Sequence, residues 1–593
     1  MSRPSHRPWL RALAAAAVLA QALLGPNARA AAPDPAQGRR GMVVTSQGDA
    51  TRAGLAMLEQ GGNAVDAAVA AAFALAVTQP FSAGLGGGAF VLIRTADGRA
   101  VALDARETAP AAATADMFTR PGVPERASLV GPLAIATPSF VAGMALALEK
   151  FGTRSLADVL APAIELAEHG FPIGPYHARM LAFVENMGLR QRFPETARIQ
   201  LPPPGETPRQ GWRLVQKDLA ETLRRIARDG PQTISSGDVA GAIADEVQAD
   251  GGILTWDDLS GYQPKLREPL RGHYRSFEIL SFPPPSSGGV ALIEALQILD
   301  GTDLRTRGAG SSAAIHLIAE AMKLAFADRA LHLGDPDFVD VPVARLISLD
   351  YAASLRARID PPWWKRAPWT WMREESAIEV EAPGIAADDH GTTHLSTTDA
   401  AGNAVALTMT INTPFGSGIT VPGTGVVLNN EMDDFSVAPG KPNVYGLVDV
   451  RGSNSIAPGK RPLSSMTPTI VSIDGRLVMV TGSPGGPRII STTLLSILNA
   501  LDFHMDVEEA VSAPRFHHQW SPNEIVVEPD VPADVIEGLR ARGHVVRVDE
   551  REWSAAEAIL IDPKTGWHTG GADPRSDGLA LGLDPPGGSA SNP

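Results

Sequence analysis

The stretch Gly391-Thr392-Thr393-His394 constrains this chain more than any other. Beyond His394 the sequence alternates through Leu395, Ser396, Thr397 and Thr398, turns at Asp399-Ala400-Ala401-Gly402-Asn403, and alternates again from Ala404 to Thr410. Polar turn residues between two period-two runs predict a β-hairpin. Without a bulge, Thr398 faces Ala404 and Thr392 falls opposite Thr410 on the same face, with Asn412 two residues further along it. Two hydroxyls and an amide then converge.

A threonine hydroxyl needs a base to take its proton, and the residue's own α-amine can serve once the preceding peptide bond is broken. Gly391 leaves its carbonyl sterically open. The Thr392 hydroxyl can attack that carbonyl, shift the acyl group from N to O, and leave an ester for water to hydrolyse. Taken on composition alone, Thr392 and Thr393 are β-formers opening a strand.

The 593 residues, 44% hydrophobic and without a repeat period, fit one large globular body or two fused ones. A net charge of -15 with no Lys/Arg block argues against nucleic acid. Cysteine is absent, which excludes disulfides, thiolate metal sites, a cysteine nucleophile and a lipid-modified N-terminal cysteine. Arg3, Arg7 and Arg11 precede an apolar run from Ala12 to Leu24, followed by Ala28-Arg29-Ala30. That is the pattern of a signal peptide over residues 1–30, too short for a membrane span, so export to the periplasm or medium is expected. Cleavage after Ala30 removes four arginines and takes the formal charge to -19.

Residues 31–40 read as a linker, Gly41 to Ser46 as a strand, and Thr51 to Glu59 and Asn63 to Val77 as alanine-rich helices with Asn63 an N-cap. Gly84-Leu85-Gly86-Gly87-Gly88 lacks the Lys-Ser/Thr of a phosphate loop and leads into a strand, so it does not predict nucleotide binding. Ala89 to Arg94 and Ala100 to Arg106 form a hairpin that ends on Arg106. Further helices are read at Pro162 to His169, Leu219 to Arg228 and Val290 to Leu299, with an amphipathic one from Ala313 to His332. Asp474-Gly475 turns a second hairpin, Ile470 to Ile473 and Arg476 to Thr481, which runs into Gly482-Ser483-Pro484-Gly485-Gly486. Glycines there let backbone N–H groups turn inward towards an anion. The 21 residues from Pro439 to Gly459, with Pro442 and Tyr445, have the length of a lid. His517-His518 point apart on a strand and suit a structural role. Trp363, Trp364, Trp369 and Trp371 form a cluster that either packs on the protein or touches a membrane interface. The tail from Pro585 is read as disordered.

Thr392-Thr393-His394 followed by Gly402-Asn403-Ala404-Val405-Ala406 resembles the start of the small subunit of γ-glutamyltranspeptidases. Gly61 to Ala68, Gly84 to Gly88, Pro283 to Gly289, Leu428 to Phe435, Arg461 to Met466 and Gly482 to Gly486 are similar to the same family, in family order. The resemblance implies an α+β, four-layer αββα N-terminal-nucleophile hydrolase sandwich. It implies a self-cleaved chain: a large subunit 31–391 and a small subunit 392–593, held together as a heterodimer.

By resemblance, Thr392 is the nucleophile, Thr410 positions it, and Gly485 and Gly486 hold the oxyanion. Arg106, assisted by Ser464 and Ser465, takes the substrate α-carboxylate, while Asn412, Glu431 and Asp434 take its α-ammonium. A guanidinium fork suits the first task because it offers two parallel hydrogen bonds. The implied reaction transfers the γ-glutamyl group of glutathione or a related compound to water, an amino acid or a peptide, with no metal or organic cofactor. The rivals are a same-fold acylase acting on glutaryl or β-lactam side-chain amides, and an exported, uncleaved binding protein.

Overall fold

The computed structural model describes residues 33–359, 391–438 and 440–584, and from Pro35 onward these belong to one compact unit. The predicted hairpin lies at its centre. Thr392–Asp399 pairs antiparallel with Ala404–Thr410, with Thr392 opposite Thr410 and Thr398 opposite Ala404, so the register is the one expected without a bulge. Gly41–Thr45 flanks the hairpin on one side and Gly88–Arg94 on the other. Ala100–Ala105, Lys265–Arg267 and Leu579–Gly582 complete a seven-stranded sheet.

A second seven-stranded sheet is built around the hairpin Thr469–Ile473 and Arg476–Gly482, whose turn residues Asp474 and Gly475 both have positive φ. Its remaining strands are Ala36–Gly38, Leu270–Tyr274, Phe277–Ser281, Glu557–Ile561 and His568–Ala572. Each sheet therefore interleaves strands from before Gly391 with strands from after Thr392. A cut between those two residues leaves both sheets hydrogen-bonded across the two pieces.

Strand alternation sorts the side chains into three apolar layers. Met42, Val44, Phe90, Leu92, Ala404 and Ala406 meet Leu280, Ile470, Val480 and Ile559 between the sheets. Val43, Val91, Ile93, Val405 and Leu407 face away, against the helices Gly48–Glu59 and Ala64–Thr78. Ile279, Val471 and Met479 face the helices Gly288–Asp300 and Arg488–Leu501. Three cores between helix, sheet, sheet and helix make the αββα sandwich.

The helix Ala64–Thr78 is buried on every side, which explains its alanines. At Gly54 an added Cβ would lie 2.9 Å from Val43 and 3.0 Å from the Ala67 carbonyl, so the two helices meet almost backbone to backbone. Asn63 caps the second helix as expected, accepting from the N–H groups of Val65 and Asp66 while Asp66 accepts from the Asn63 N–H. Such a cap is worth about 1 kcal/mol.

The other predicted helices form with longer ends: Leu156–His169, Lys217–Asp229, Gly288–Asp300 and Ser312–His332. The last is not amphipathic as read. Ile315, Leu317, Ile318, Met322, Phe326 and Ala330 are buried around most of its circumference, because the helices Gly288–Asp300, Leu349–Ile359 and Ala533–Ala541 and the strand Phe516–His517 pack on it. No helix among the described residues is long and apolar enough to cross a membrane. The signal-like stretch, the tryptophan cluster and the tail beyond Asp584 lie outside the described residues.

Candidate active site

Thr392 and Thr410 end their strands on the face that looks into the sandwich, and their Oγ1 atoms lie 3.0 Å apart. The Thr410 hydroxyl also donates to the Gly391 carbonyl at 2.7 Å, and the Ile411 N–H reaches the same oxygen at 3.3 Å. Two donors therefore polarise the carbonyl that precedes Thr392. Gly391 has a steric reason to be glycine, since an added Cβ would sit 1.9 Å from the Asn412 carbonyl oxygen.

Asn412 does not continue the strand as the hairpin count supposed. Its φ of 77° turns the backbone left-handed, and its N–H then donates to Thr410 Oγ1 at 2.8 Å. The kink still delivers its side chain: Nδ2 donates to the Asn430 carbonyl, and the Tyr445 hydroxyl lies 2.8 Å from Oδ1. Tyr445 is the tip of the predicted lid, and its hydroxyl also lies 2.8 Å from the Asn412 carbonyl. Asp449 fastens the far end of that loop by accepting from the N–H groups of Arg451, Gly452, Ser453 and Asn454. His394 is buried between the sheets against Thr408 and Ser396. Burial lowers it to about 3, so it is a neutral packing residue and not a base.

Arg106 leaves the end of Ala100–Ala105 fully buried, donating from Nε to the Pro462 carbonyl and from its two terminal nitrogens to Glu431 and Asp434. Here the guanidinium and the two carboxylates, read as opposite ends of a substrate clamp, satisfy each other directly. Asn429 sets the acids in place: its Nδ2 donates to the carbonyls of Gly86 and Ala136, and its Oδ1 accepts from the Glu431 N–H. The glycine run owes its composition to this packing, since a Cβ on Gly86 would lie 2.2 Å from the Val427 oxygen and one on Gly87 2.1 Å from the Thr410 oxygen.

Thr392, Thr410, Asn412, Arg106, Glu431, Asp434, Ser464, Ser465, Gly486 and Tyr445 line one cavity. It measures about 20 Å³, room for about one water, so a larger ligand must part Arg106 from its acids or displace Tyr445. Gly485 stands just outside it. Both glycines hold positive φ, and among the described residues neither N–H donates to a protein group.

Ser464 is braced by the segment Pro283 to Gly289: its N–H donates to the Pro285 carbonyl, and its own carbonyl accepts from the Ser287 N–H and hydroxyl. Sequence reasoning missed Arg329, a buried cation that donates to that Ser287 hydroxyl at 3.1 Å and adds positive potential at Asp434. It lies in the last turn of the helix Ser312–His332, without a motif. His517 and His518 are buried and hydrogen-bonded, to Ser491 and Gln519 and to the Trp520 N–H respectively, which suits the structural role expected of them.

Glu107 was also missed as a site residue. It is fully buried, 3.6 Å from Arg106, and neither carboxyl oxygen has a hydrogen-bond partner. Burial pushes it up to about 8 despite the attraction of Arg106, and burial likewise raises Glu431 and Asp434. For Arg106, burial opposes the charge, but Glu431, Asp434 and Glu107 outweigh it and hold the guanidinium protonated.

A stability consequence follows for Glu107. An unfolded glutamate releases its proton near 4.5, whereas the folded chain keeps this one to about 8, so the stabilisation is complete below 4.5 and is lost as pH rises through 8. Glu508, raised by burial to about 7, acts in the same sense. Buried histidines such as His177, lowered to about 3, affect stability only below their unfolded value of 6.5. Between pH 6.5 and 8 the urea midpoint is therefore expected to fall, with Glu107 contributing about 2 kcal/mol. Glu107→Gln should remove that share of the slope; an unchanged slope would mean that Glu107 is already ionised at pH 6.5.

A threonine at the end of a central strand, facing a partner hydroxyl inside a four-layer αββα sandwich, defines an N-terminal-nucleophile hydrolase fold. The sequence matches the γ-glutamyltranspeptidase family over residues 50–583. It is 43% identical to the glutathione hydrolase proenzyme of Escherichia coli (strain K12), over 97% of this chain and 99% of that protein. It is 42% identical to the acylase ACY 1 proenzyme of Pseudomonas sp. (strain SE83), over 93% and 94%. Among solved structures, the cephalosporin acylase from Bacillus halodurans superposes with a TM-score of 0.81 at 29% identity, over 94% of this chain and 98% of that one. The chain belongs to the γ-glutamyltranspeptidase family, and it is an enzyme of the γ-glutamyltransferase and glutathione hydrolase class.

Proposed function

We propose that the chain is exported, loses residues 1–30, cuts itself between Gly391 and Thr392, and then transfers the γ-glutamyl group of glutathione and related donors. The observation that carries this reading is the single cavity with a threonine pair at one end and a buried guanidinium with two buried carboxylates at the other. A γ-glutamyl donor matches both ends. Its α-carboxylate replaces the acids on Arg106, with Ser464 and Ser465 beside it, and its α-ammonium takes Glu431, Asp434 and Asn412. The exchange leaves every buried charge with an opposite partner, and a buried charge is tolerated only on that condition.

Chemistry starts in the precursor. The Thr392 hydroxyl attacks the Gly391 carbonyl, whose oxygen is held by Thr410 and the Ile411 N–H. The C–N bond breaks, the amine takes a proton, and water hydrolyses the ester to give pieces 31–391 and 392–593. In turnover the freed α-amine takes the Thr392 proton as the oxygen attacks the γ-carbonyl. Thr410 fixes the nucleophile, and the free N–H groups of Gly485 and Gly486 receive the oxyanion. One such donor is worth about 3 kcal/mol of barrier. The leaving amine takes that proton, and water or an amino acid or peptide amine then resolves the acyl-threonine.

A neighbouring cavity of about 210 Å³ begins at Thr413 and Val444, the residues adjoining Asn412 and Tyr445, and is floored by Phe183, Leu189 and Phe193 with Arg126 and Arg192 at its rim. Its apolar floor and cationic rim suit the peptide part of the donor or acceptor. Glutaryl or β-lactam side-chain amides lack the α-ammonium and would leave Glu431 and Asp434 unmatched, which weighs against the acylase reading. The deciding experiment is intact-mass analysis and N-terminal sequencing of purified protein, followed by a γ-glutamyl-anilide assay. A fragment beginning Thr392-Thr393-His394 with anilide turnover is expected; an uncut chain without turnover would favour the binding-protein reading.

A further inference from the structure

Away from the threonine cavity, the helix Ser312–His332 carries His316 and Glu320 one turn apart on the same side. Facing them, the helix Ala533–Ala541 ends in a turn through Gly543, whose φ of 90° brings the chain round to His544. His316 Nδ1 lies 2.7 Å from His544 Nε2, and His544 Nδ1 lies 3.8 Å from a Glu320 carboxyl oxygen. One ligand atom from each of the three side chains lies within 4.8 Å of the other two.

The carboxylate is the informative member. Glu320 is more than nine-tenths buried, yet among the described residues it makes no hydrogen bond. The Lys323 ammonium is 4.0 Å away, and His544, whose imidazole burial keeps neutral, is 3.8 Å away. A buried carboxylate normally finds a partner at hydrogen-bond distance. This one instead faces two imidazoles.

We propose that His316, Glu320 and His544 hold a divalent first-row transition metal, zinc foremost. Two imidazoles and a carboxylate suit zinc, cobalt or nickel rather than calcium or magnesium, and zinc accepts three such ligands with water as a fourth. Neighbouring ligand atoms in a tetrahedral zinc site are about 3.3 Å apart, given bonds of about 2.0 to 2.1 Å. Binding would require side-chain rotations that open the 2.7 Å contact between His316 and His544 and close the 4.8 Å span to that spacing. None of the three residues lines the Thr392 cavity, so the ion is structural. His316 and Glu320 precede Gly391 whereas His544 follows Thr392, so after the proposed cut the ion would join two separate polypeptides.

Lys323 competes for Glu320, and it supplies the discriminating variant. Untagged protein stripped with a chelator is titrated with Co²⁺ at pH 8, where an ordinary imidazole is neutral, and visible ligand-field absorption is recorded. The expected result is a one-to-one, four-coordinate spectrum that Zn²⁺ abolishes by displacement. His544→Ala should lose it, Glu320→Gln should weaken affinity at least about tenfold, and Lys323→Met should strengthen it. Anilide hydrolysis should stay intact in His544→Ala, so the metal and the catalytic reading stand or fall separately. No absorption in the wild type, or absorption retained by His544→Ala, would overturn the site. A further readout is the urea concentration that separates the two cleaved pieces, which Zn²⁺ should raise in the wild type and leave unchanged in His544→Ala.

Discussion

Thr392→Ala is expected to run as one undivided polypeptide on a denaturing gel and to lose γ-glutamyl-anilide hydrolysis by about 10⁴-fold or more, the scale seen when a nucleophile is deleted. Both losses have one origin. On the proposed mechanism the Thr392 oxygen attacks Gly391 in the precursor, and the same oxygen carries the acyl group in the cleaved enzyme. The fold itself should survive, because Thr392 contributes one strand-end side chain and its backbone ladder to Thr410 is unaffected by an alanine. Thr392→Ser, which keeps the oxygen, should retain both activities at reduced rate. Two bands from the alanine variant, with a fragment beginning at residue 392, would remove Thr392 from the role of self-cleaving nucleophile.

Much of this site was legible in the sequence because β-hairpins carry their own arithmetic. Counting outward from Ala401 placed Thr392 opposite Thr410, and the ladder has that pairing. The count failed at Asn412, since a left-handed residue after the last strand position leaves no mark in a period-two pattern. Glu107 and Arg329 went unread for another reason: Glu107 adjoins Arg106 in the chain but only the packed fold buries the pair, and Arg329 owes its place to Asp434, over a hundred residues away. Arg106, Glu431 and Asp434 could be nominated by resemblance, but not their direct contact with each other, because long-range ion pairing is decided only once the sandwich closes. The glycine runs were half readable. For Gly84 to Gly88 the sequence excluded a phosphate loop, but the reason for the glycines, the close approach of the Val427 and Thr410 backbones, is a property of the packed fold.

Asp434→Ala is expected to lower kcat/KM for a γ-glutamyl-anilide by about 10² to 10³-fold, as loss of one member of a buried charge pair does in recognition sites. Turnover of the corresponding glutaryl-anilide, which has the carboxylate but no ammonium, should stay level or rise. A site built around a buried polar partner rejects an analogue lacking that group by about 10⁴-fold, so the wild type should discriminate strongly and the variant much less. Self-cleavage supplies the control for folding: the Gly391-Thr392 bond presents no ammonium, so Asp434→Ala should still yield two pieces. Arg106 keeps Glu431 as its counter-ion in this variant, so the guanidinium is not stranded. If the ratio of γ-glutamyl to glutaryl turnover were the same in both proteins, Asp434 would not read the ammonium. The acidic pair would then serve only to hold Arg106, and an acylase specificity would become the better account of the cavity.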